Sequence, residues 1–137
     1  MRTAFLIIAS LAASSAGAAT LHMTFDNLNR MQGHLLVAVY NKPGDYDSHK
    51  HAVYSGKVPL DGRESPISLD IDLPAGRYAV EAMQDVNDNG KLDFNAMHIP
   101  DEPTGCSRNP RVWRRPHFDE CAFDLPGTGR SITLDMY

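Results

Sequence analysis

The chain has 137 residues, with 13 Lys and Arg against 17 Asp and Glu, so its formal net charge is −4. This length is typical of one domain with a single modest core. Because nucleic-acid binding needs clustered positive charge, a mildly acidic chain is a poor candidate for it, and we expect no nucleic-acid partner.

The N-terminal segment has the three parts of a secretory signal peptide. Arg2 supplies the charged part, residues 4–13 the apolar part, and residues 16–18 a cleavage site with small residues. The apolar part is too short to span a bilayer, which takes about 20 apolar residues. The sequence therefore predicts a cleaved signal over 1–18, a periplasmic or secreted domain over 19–137, and no transmembrane segment after cleavage.

Four segments in the first half of the domain have strand patterns. Residues 20–26 alternate between polar and apolar side chains, as a half-buried strand does. Residues 34–40 form a denser apolar run, which suits a central strand covered on both faces. A loop opened by Pro43 follows over residues 41–50, and residues 52–58 and 67–73 are the next two strands, the last with the clearest alternation.

The second half continues this pattern around one long irregular segment. Residues 77–84, 122–125 and 132–136 are predicted strands. Residues 94–116 contain four prolines, and we expect a long irregular loop there, of a kind that is often functional. About seven short strands and no convincing helix predict an all-β fold, a single antiparallel β-sandwich.

Cys106 and Cys121 are the two cysteines of the chain, 15 residues apart. In an exported protein the compartment is oxidising, so we expect a disulfide between them. Closing a loop of this size stabilises a fold by about 3 kcal/mol in the chain-entropy model. A redox-active pair is the alternative, but the spacing is unlike C-x-x-C.

Residues 85–93 carry most of the functional signal, because they read D-x-N-x-N-G-x-x-D. Ca²⁺ takes about six to eight oxygen ligands from carboxylates, amides and carbonyls. Gly90 permits the sharp turn that such a loop needs, since it has no Cβ. We expect a structural Ca²⁺ ion here, bound by the side chains of Asp85, Asn87, Asn89 and Asp93 and the backbone carbonyl of Lys91.

The alternatives for this loop are an EF-hand and a polar turn without a metal. An EF-hand needs a Glu at the twelfth position and a helix on each side, whereas Ala96 stands there and Pro100 and Pro103 prevent a long exiting helix. A calcium loop between strands therefore stays open, with a further ligand from Asp101, Glu102, a carbonyl or water. So does an Asx-rich turn, since the same residues favour turns.

Two other segments suggest weaker binding hypotheses. If residues 45–51 are extended, four potential Zn²⁺ or Cu²⁺ ligands lie on one side, although a solvated loop is the simpler interpretation. These ligands are Asp45, Asp47, His49 and His51. In the long loop, Arg108, Arg111 and Trp113 are candidate contacts for a small ligand. Alternatively, Trp113 packs over the disulfide.

The chain lacks the common catalytic motifs, including G-x-S-x-G, H-E-x-x-H and a Gly-rich phosphate loop. We therefore expect a non-enzymatic exported module, and the sequence identifies no partner. Its alternatives are a small-ligand carrier that uses residues 94–116 and a periplasmic binder of zinc or copper.

Several segments resemble the small secreted bacterial proteins grouped as domain of unknown function 2141 (DUF2141). They are the run LPAGRYAV at 73–80, the 85–93 block, Ile99-Pro100, Gly105-Cys106-Ser107, Asn109, Pro116, Phe118 and Ala122-Phe123. The resemblance covers nearly all of the mature chain and implies a prealbumin-like β-sandwich, export and no established activity. Members typically have an aromatic residue after the glycine and no cysteine at either site, whereas this chain has Cys106 and Cys121.

Overall fold

The structure is a computed structural model that describes residues 17–28, 30–97 and 102–137. The predicted signal peptide lies almost entirely outside these residues, and so does Asp101, the possible extra calcium ligand. Among the described residues, no helix is both long and apolar enough to cross a membrane.

The described part of the chain forms eight strands and two short helices, so the all-β prediction is confirmed. In chain order they are β1 (Ala19–Asp26), β2 (His34–Tyr40), α1 (Pro43–Ser48), β3 (Tyr54–Pro59), β4 (Ile67–Leu73), β5 (Gly76–Asp85), β6 (Thr104–Cys106), α2 (Phe118–Cys121), β7 (Phe123–Leu125) and β8 (Arg130–Asp135).

Three of these elements were not expected from the sequence: α1, α2 and β6. Helix α1 lies in the segment that predicts a loop. Pro43 fits the first turn of the helix. A backbone N–H at that position has no partner within the helix, so the N–H that proline lacks is not missed. Strand β6 lies inside the proline-rich segment and pairs with β5, Gly105 opposite Ala82.

The strands form a three-stranded sheet in the order β4-β1-β8 and a five-stranded sheet in the order β3-β2-β5-β6, with β7 also paired to β5. Strands β1 and β8 run parallel, and the other described pairs are antiparallel. The sandwich prediction is confirmed, but the parallel pair departs from the antiparallel arrangement that was predicted. Strand β8 is far from β1 in sequence, so no hairpin fixes its direction.

The main core lies between the two sheets. Alternation along β1 places Leu21, Met23 and Phe25 inside, and β2 adds Leu35 and Val39, all fully buried. Burying each such side chain stabilises the fold by about 1.5–3 kcal/mol.

A second core covers the other face of the five-stranded sheet. Tyr40 of β2 lies opposite Ala79 of β5, and both are buried in this cluster with residues from α1, α2 and the long loop. Strand β2 is therefore covered on both faces, as its dense apolar run predicts.

The disulfide between Cys106 and Cys121 is confirmed, with their Cα atoms 5.9 Å apart. The packing predicted for Trp113 is wrong, since its side chain is fully exposed. Tyr46 lies against the disulfide instead, with its hydroxyl 3.7 Å from Cys121 Sγ. That hydroxyl also donates a 2.8 Å hydrogen bond to the carbonyl of Pro116.

Tyr46 should make stability fall at alkaline pH. Burial, with a contribution from Glu81, raises the pKa of Tyr46 to about 12. An unfolded tyrosine has a pKa near 10. The contribution of Tyr46 is thus complete below about pH 10 and is lost as the pH rises through about 12. Urea unfolding between pH 8 and pH 11 measures it.

The matched variant is Tyr46→Phe, which keeps the ring and removes the ionisable group. It should lose less stability than the wild type over the same pH range. Some loss should remain, because burial also raises the pKa of Tyr40 and of Tyr78. Equal losses in the two proteins would contradict the role of Tyr46.

Candidate functional site

The 85–93 loop starts at the last residue of β5, where Asp85 is 0% exposed. Its carboxylate accepts hydrogen bonds from the backbone N–H of Asn89 at 3.2 Å and of Gly90 at 2.6 Å. Gly90 has a φ of +74°, the left-handed conformation that the sequence predicts there. Asp85 therefore fixes the curl of the loop from inside the protein.

Three of the predicted ligands meet at one point. Asn87 Nδ2 donates to Asp93 Oδ2 at 2.6 Å, and Asn89 Nδ2 donates to the two Asp93 oxygens at 2.9 and 3.2 Å. These bonds, that from Asn89 first, lower the pKa of the Asp93 carboxyl. A half-turn of either amide exchanges its nitrogen for its oxygen, so the same positions can present oxygens.

Glu102 holds both ends of the loop. It is 5% exposed. Its carboxylate accepts the N–H of Val86 at 2.6 Å and the N–H of Asp93 at 3.1 Å. Burial raises the pKa of Glu102, and the nearby Asp93 carboxylate adds to the increase. The sequence identified Glu102 only as a candidate extra ligand of the ion. Its contacts with Val86 and Asp93 follow no spacing rule, so they could not be predicted.

Asp88 ties the loop to the five-stranded sheet. Its Oδ1 lies 2.9 Å from His34 Nδ1 of β2 and 3.4 Å from Lys57 Nζ of β3. The imidazole is near enough for an ion pair when protonated, but it is not aligned for a hydrogen bond. Asp88 occupies a variable position of the motif, so this contact could not be predicted from the motif.

Gly33 makes the close approach of the β1–β2 connection to this loop possible. A Cβ at residue 33 would lie 1.9 Å from the carbonyl oxygen of Asp85. Only glycine fits there. The base of the loop is thus packed directly against a neighbouring turn.

The carboxylates alone do not form a metal cage. Within residues 17–28, 30–97 and 102–137, no three His, Cys, Asp or Glu side chains are grouped so that they could hold a metal ion. A hard cation at the loop would need amide, carbonyl or water oxygens in addition to Asp85 and Asp93. The 85–93 sequence has such a mixture of carboxylate and amide side chains.

The zinc or copper cluster predicted from residues 45–51 is not assembled. Asp45 and Asp47 lie in α1, where alternate residues do not share a face. His49 ends the helix in a left-handed conformation, with φ 54° and ψ 38°, and its Nε2 lies 3.5 Å from Glu81 Oε2. The prediction failed because it assumed an extended segment.

The three candidate ligand contacts of the long loop have different surroundings. The Arg111 guanidinium lies 5.1 Å from the centre of the Tyr137 ring, and the side chain of Trp113 is fully exposed. Arg108 Nη1 lies 3.5 Å from the carbonyl oxygens of Asp119 and Ala122. Arg108 also lines a cleft, together with Arg77 and Arg130.

Replacing Glu102 with glutamine should loosen the loop. Gln has one acceptor oxygen at its end in place of two, so either the Val86 or the Asp93 N–H loses its partner. An unsatisfied buried donor costs about 1–3 kcal/mol. Urea unfolding should show this loss, and hydrogen exchange should accelerate at one of the two amides.

Glu64→Gln is the matched control, because Glu64 is exposed in the segment between β3 and β4. It should unfold like the wild type. Unchanged exchange at both amides in Glu102→Gln would show that Glu102 does not hold the loop.

Comparison with protein families identifies a bacterial family that this chain matches. The family model described as "Uncharacterized protein conserved in bacteria (DUF2141)" matches residues 23–133. The chain belongs to this family, and the resemblance noted from its motifs is confirmed. Comparison with curated proteins and with solved structures finds no match. The prealbumin-like character of the sandwich stays a prediction.

Proposed function

We propose that this DUF2141 protein is a non-enzymatic, exported β-sandwich module whose 85–93 loop binds Ca²⁺, mainly to stabilise the fold. The description of its family names no activity that could be carried over. The proposal therefore depends on the chemistry of the loop.

The convergence of Asn87 and Asn89 on Asp93 carries the proposal. It gathers one carboxylate and two amides within hydrogen-bond distance of one another. Each carboxylate oxygen has two lone pairs, so Asp85 keeps acceptor capacity beside its two backbone hydrogen bonds. With the Lys91 carbonyl and water, this set supplies the hard oxygens that Ca²⁺ prefers.

The charge around the loop also favours a cation. The carboxylate of Asp93 raises the pKa of its neighbour Glu102, after the larger effect of burial. A divalent ion beside Asp93 would offset that repulsion. Because only Asp85 and Asp93 among the proposed ligands are charged, we expect weak affinity, in the range of about 10⁻⁴–10⁻³ M that extracellular modules have.

A polar turn without an ion is the competing account. The same side chains already satisfy one another through hydrogen bonds, so the loop does not need a metal to be folded. The two accounts differ in what calcium does to stability, and a melting experiment separates them.

Calcium should raise the melting temperature of EDTA-treated protein. At ten times the Kd, a ligand that binds only the folded state stabilises it by about 1.4 kcal/mol. For a domain of this size that corresponds to a rise of about 5 °C. Mg²⁺ should raise it less, because Mg²⁺ demands octahedral geometry and dehydrates reluctantly.

Asp93→Asn is the sharpest variant, since it keeps the size of a half-buried side chain and removes one charge. It should lose most of the calcium response while Asp61→Asn, in the exposed turn after β3, keeps it. Asp85→Ala should abolish the response too, but it also removes a buried acceptor. A full calcium response in Asp93→Asn would exclude this loop as the site.

The exported state is proposed from the signal-peptide pattern, with support from the position of β1. Strand β1 begins at Ala19, so cleavage after residue 18 would leave the whole sandwich intact. Expression of the full chain in a Gram-negative host should yield periplasmic or secreted protein whose intact mass starts at Ala19. Recovery of the uncleaved chain from the cytoplasm, with its cysteines reduced, would contradict export.

A further inference from the structure

A cleft of about 300 Å³ lies at the other end of β5 from the calcium loop. Three arginines far apart in sequence meet there: Arg77 near the start of β5, Arg108 just after β6, and Arg130 at the start of β8. The cleft is completed by Ala122, Phe123 and Asp124. No local motif would bring these residues together, so the concentration of positive charge is a consequence of the fold.

An aromatic ring and an oxygen acceptor hold each of two guanidinium groups. Arg77 lies 5.6 Å from the centre of the Phe118 ring, and its Nη1 donates to Asp119 Oδ1 at 3.2 Å. Arg130 lies 5.6 Å from the centre of the Phe123 ring, and its Nη1 donates to the Asp124 carbonyl at 3.0 Å. Such cation–π contacts hold a guanidinium in place without using its N–H donors.

Most donors of these arginines stay free for a ligand. A guanidinium has about five N–H donors. In the described part of the chain, Arg77, Arg108 and Arg130 make their hydrogen bonds from Nη1 alone. Those of Arg108 are both 3.5 Å long, the weakest of the set.

We propose that this cleft binds a phosphate group, as the free ion or as a phosphomonoester. Three guanidinium groups against the two carboxylates of Asp119 and Asp124 leave the cleft positive. Guanidinium matches phosphate oxygens in pairs, which makes arginine a preferred residue for recognising them. The volume is at the lower end for ligand sites, so it suits a small anion.

Asp124 allows a test based on the direction of the change in phosphate binding. It lies directly opposite Arg77 in the β5–β7 pair and lines the same cleft, so its carboxylate would repel a bound anion. Removing this charge should strengthen phosphate binding, whereas removing an arginine should weaken it. A nonspecific effect of net charge would be the same for any residue of a given charge, wherever it lies in the fold.

This site goes beyond the proposed calcium function, and either proposal can be refuted without refuting the other. Strand β5 has 10 residues. At ~3.3 Å per residue, the cleft and the calcium loop lie roughly 30 Å apart. Loss of calcium binding in Asp93→Asn would therefore leave phosphate binding unchanged.

The test is an NMR titration of the mature protein with inorganic phosphate at constant ionic strength. Saturable shifts should appear at the amides of Arg77, Phe123 and Arg130. Arg108→Gln and Arg130→Gln should each weaken binding about tenfold, and Asp124→Asn should strengthen it several-fold. Arg63→Gln, which removes one charge from the exposed turn after β3, should bind like the wild type.

A second arm separates the two sources of a phosphate group. Vesicles of phosphatidylcholine with phosphatidic acid present the phosphomonoester on a lipid, and vesicles of phosphatidylcholine alone are their control. Binding in either arm that is lost in Arg108→Gln supports the proposal and identifies the source. The proposal is overturned by the absence of saturable binding in both arms, or by an equal loss in Arg63→Gln and Arg108→Gln.

Discussion

The pairing of β5 on both sides is the constraint on which the rest of the molecule depends. This strand is hydrogen-bonded to β2 along one edge and to β6 and β7 along the other. Tyr78 and Val80 point into the main core, and Ala79 between them points into the second core. A slip of one residue would exchange these faces, so the register is strongly specified. Because the strand is fixed, its two ends are fixed too.

The two candidate sites lie at the two ends of β5. Asp85, the last residue of β5, is buried and draws the following loop inward through two backbone hydrogen bonds. Glu102 then closes the loop from the far side, and Gly33 lets a neighbouring turn pack against its base. At the other end, Arg77 enters the cleft beside β7 and β8. Both sites are thus positioned by the sheet.

The sequence predicted what depends on local periodicity and little that depends on distant contacts. Alternation identified β1 and β4, a dense apolar run identified the doubly covered β2, and the spacing of Asp and Asn located the 85–93 loop. The same reasoning missed α1 and therefore misplaced the ligands of the proposed zinc or copper site. The Glu102 clamp, the ion pairs of Asp88 and the arginine cleft had no sequence signal, because their members are brought together only by the fold.

The measurement that tests the calcium proposal most directly is a residue-resolved NMR titration of EDTA-treated protein with Ca²⁺. The proposal predicts saturable shifts of the backbone amides of Asn89, Gly90 and Asp93, because an ion at this point would pull on Asp85 and replace the amide–carboxylate bonds to Asp93. The arginine cleft should stay unchanged in the same spectra. Shifts that are absent at millimolar calcium, or that centre on another part of the chain, would contradict the proposal and leave residues 85–93 as a polar turn.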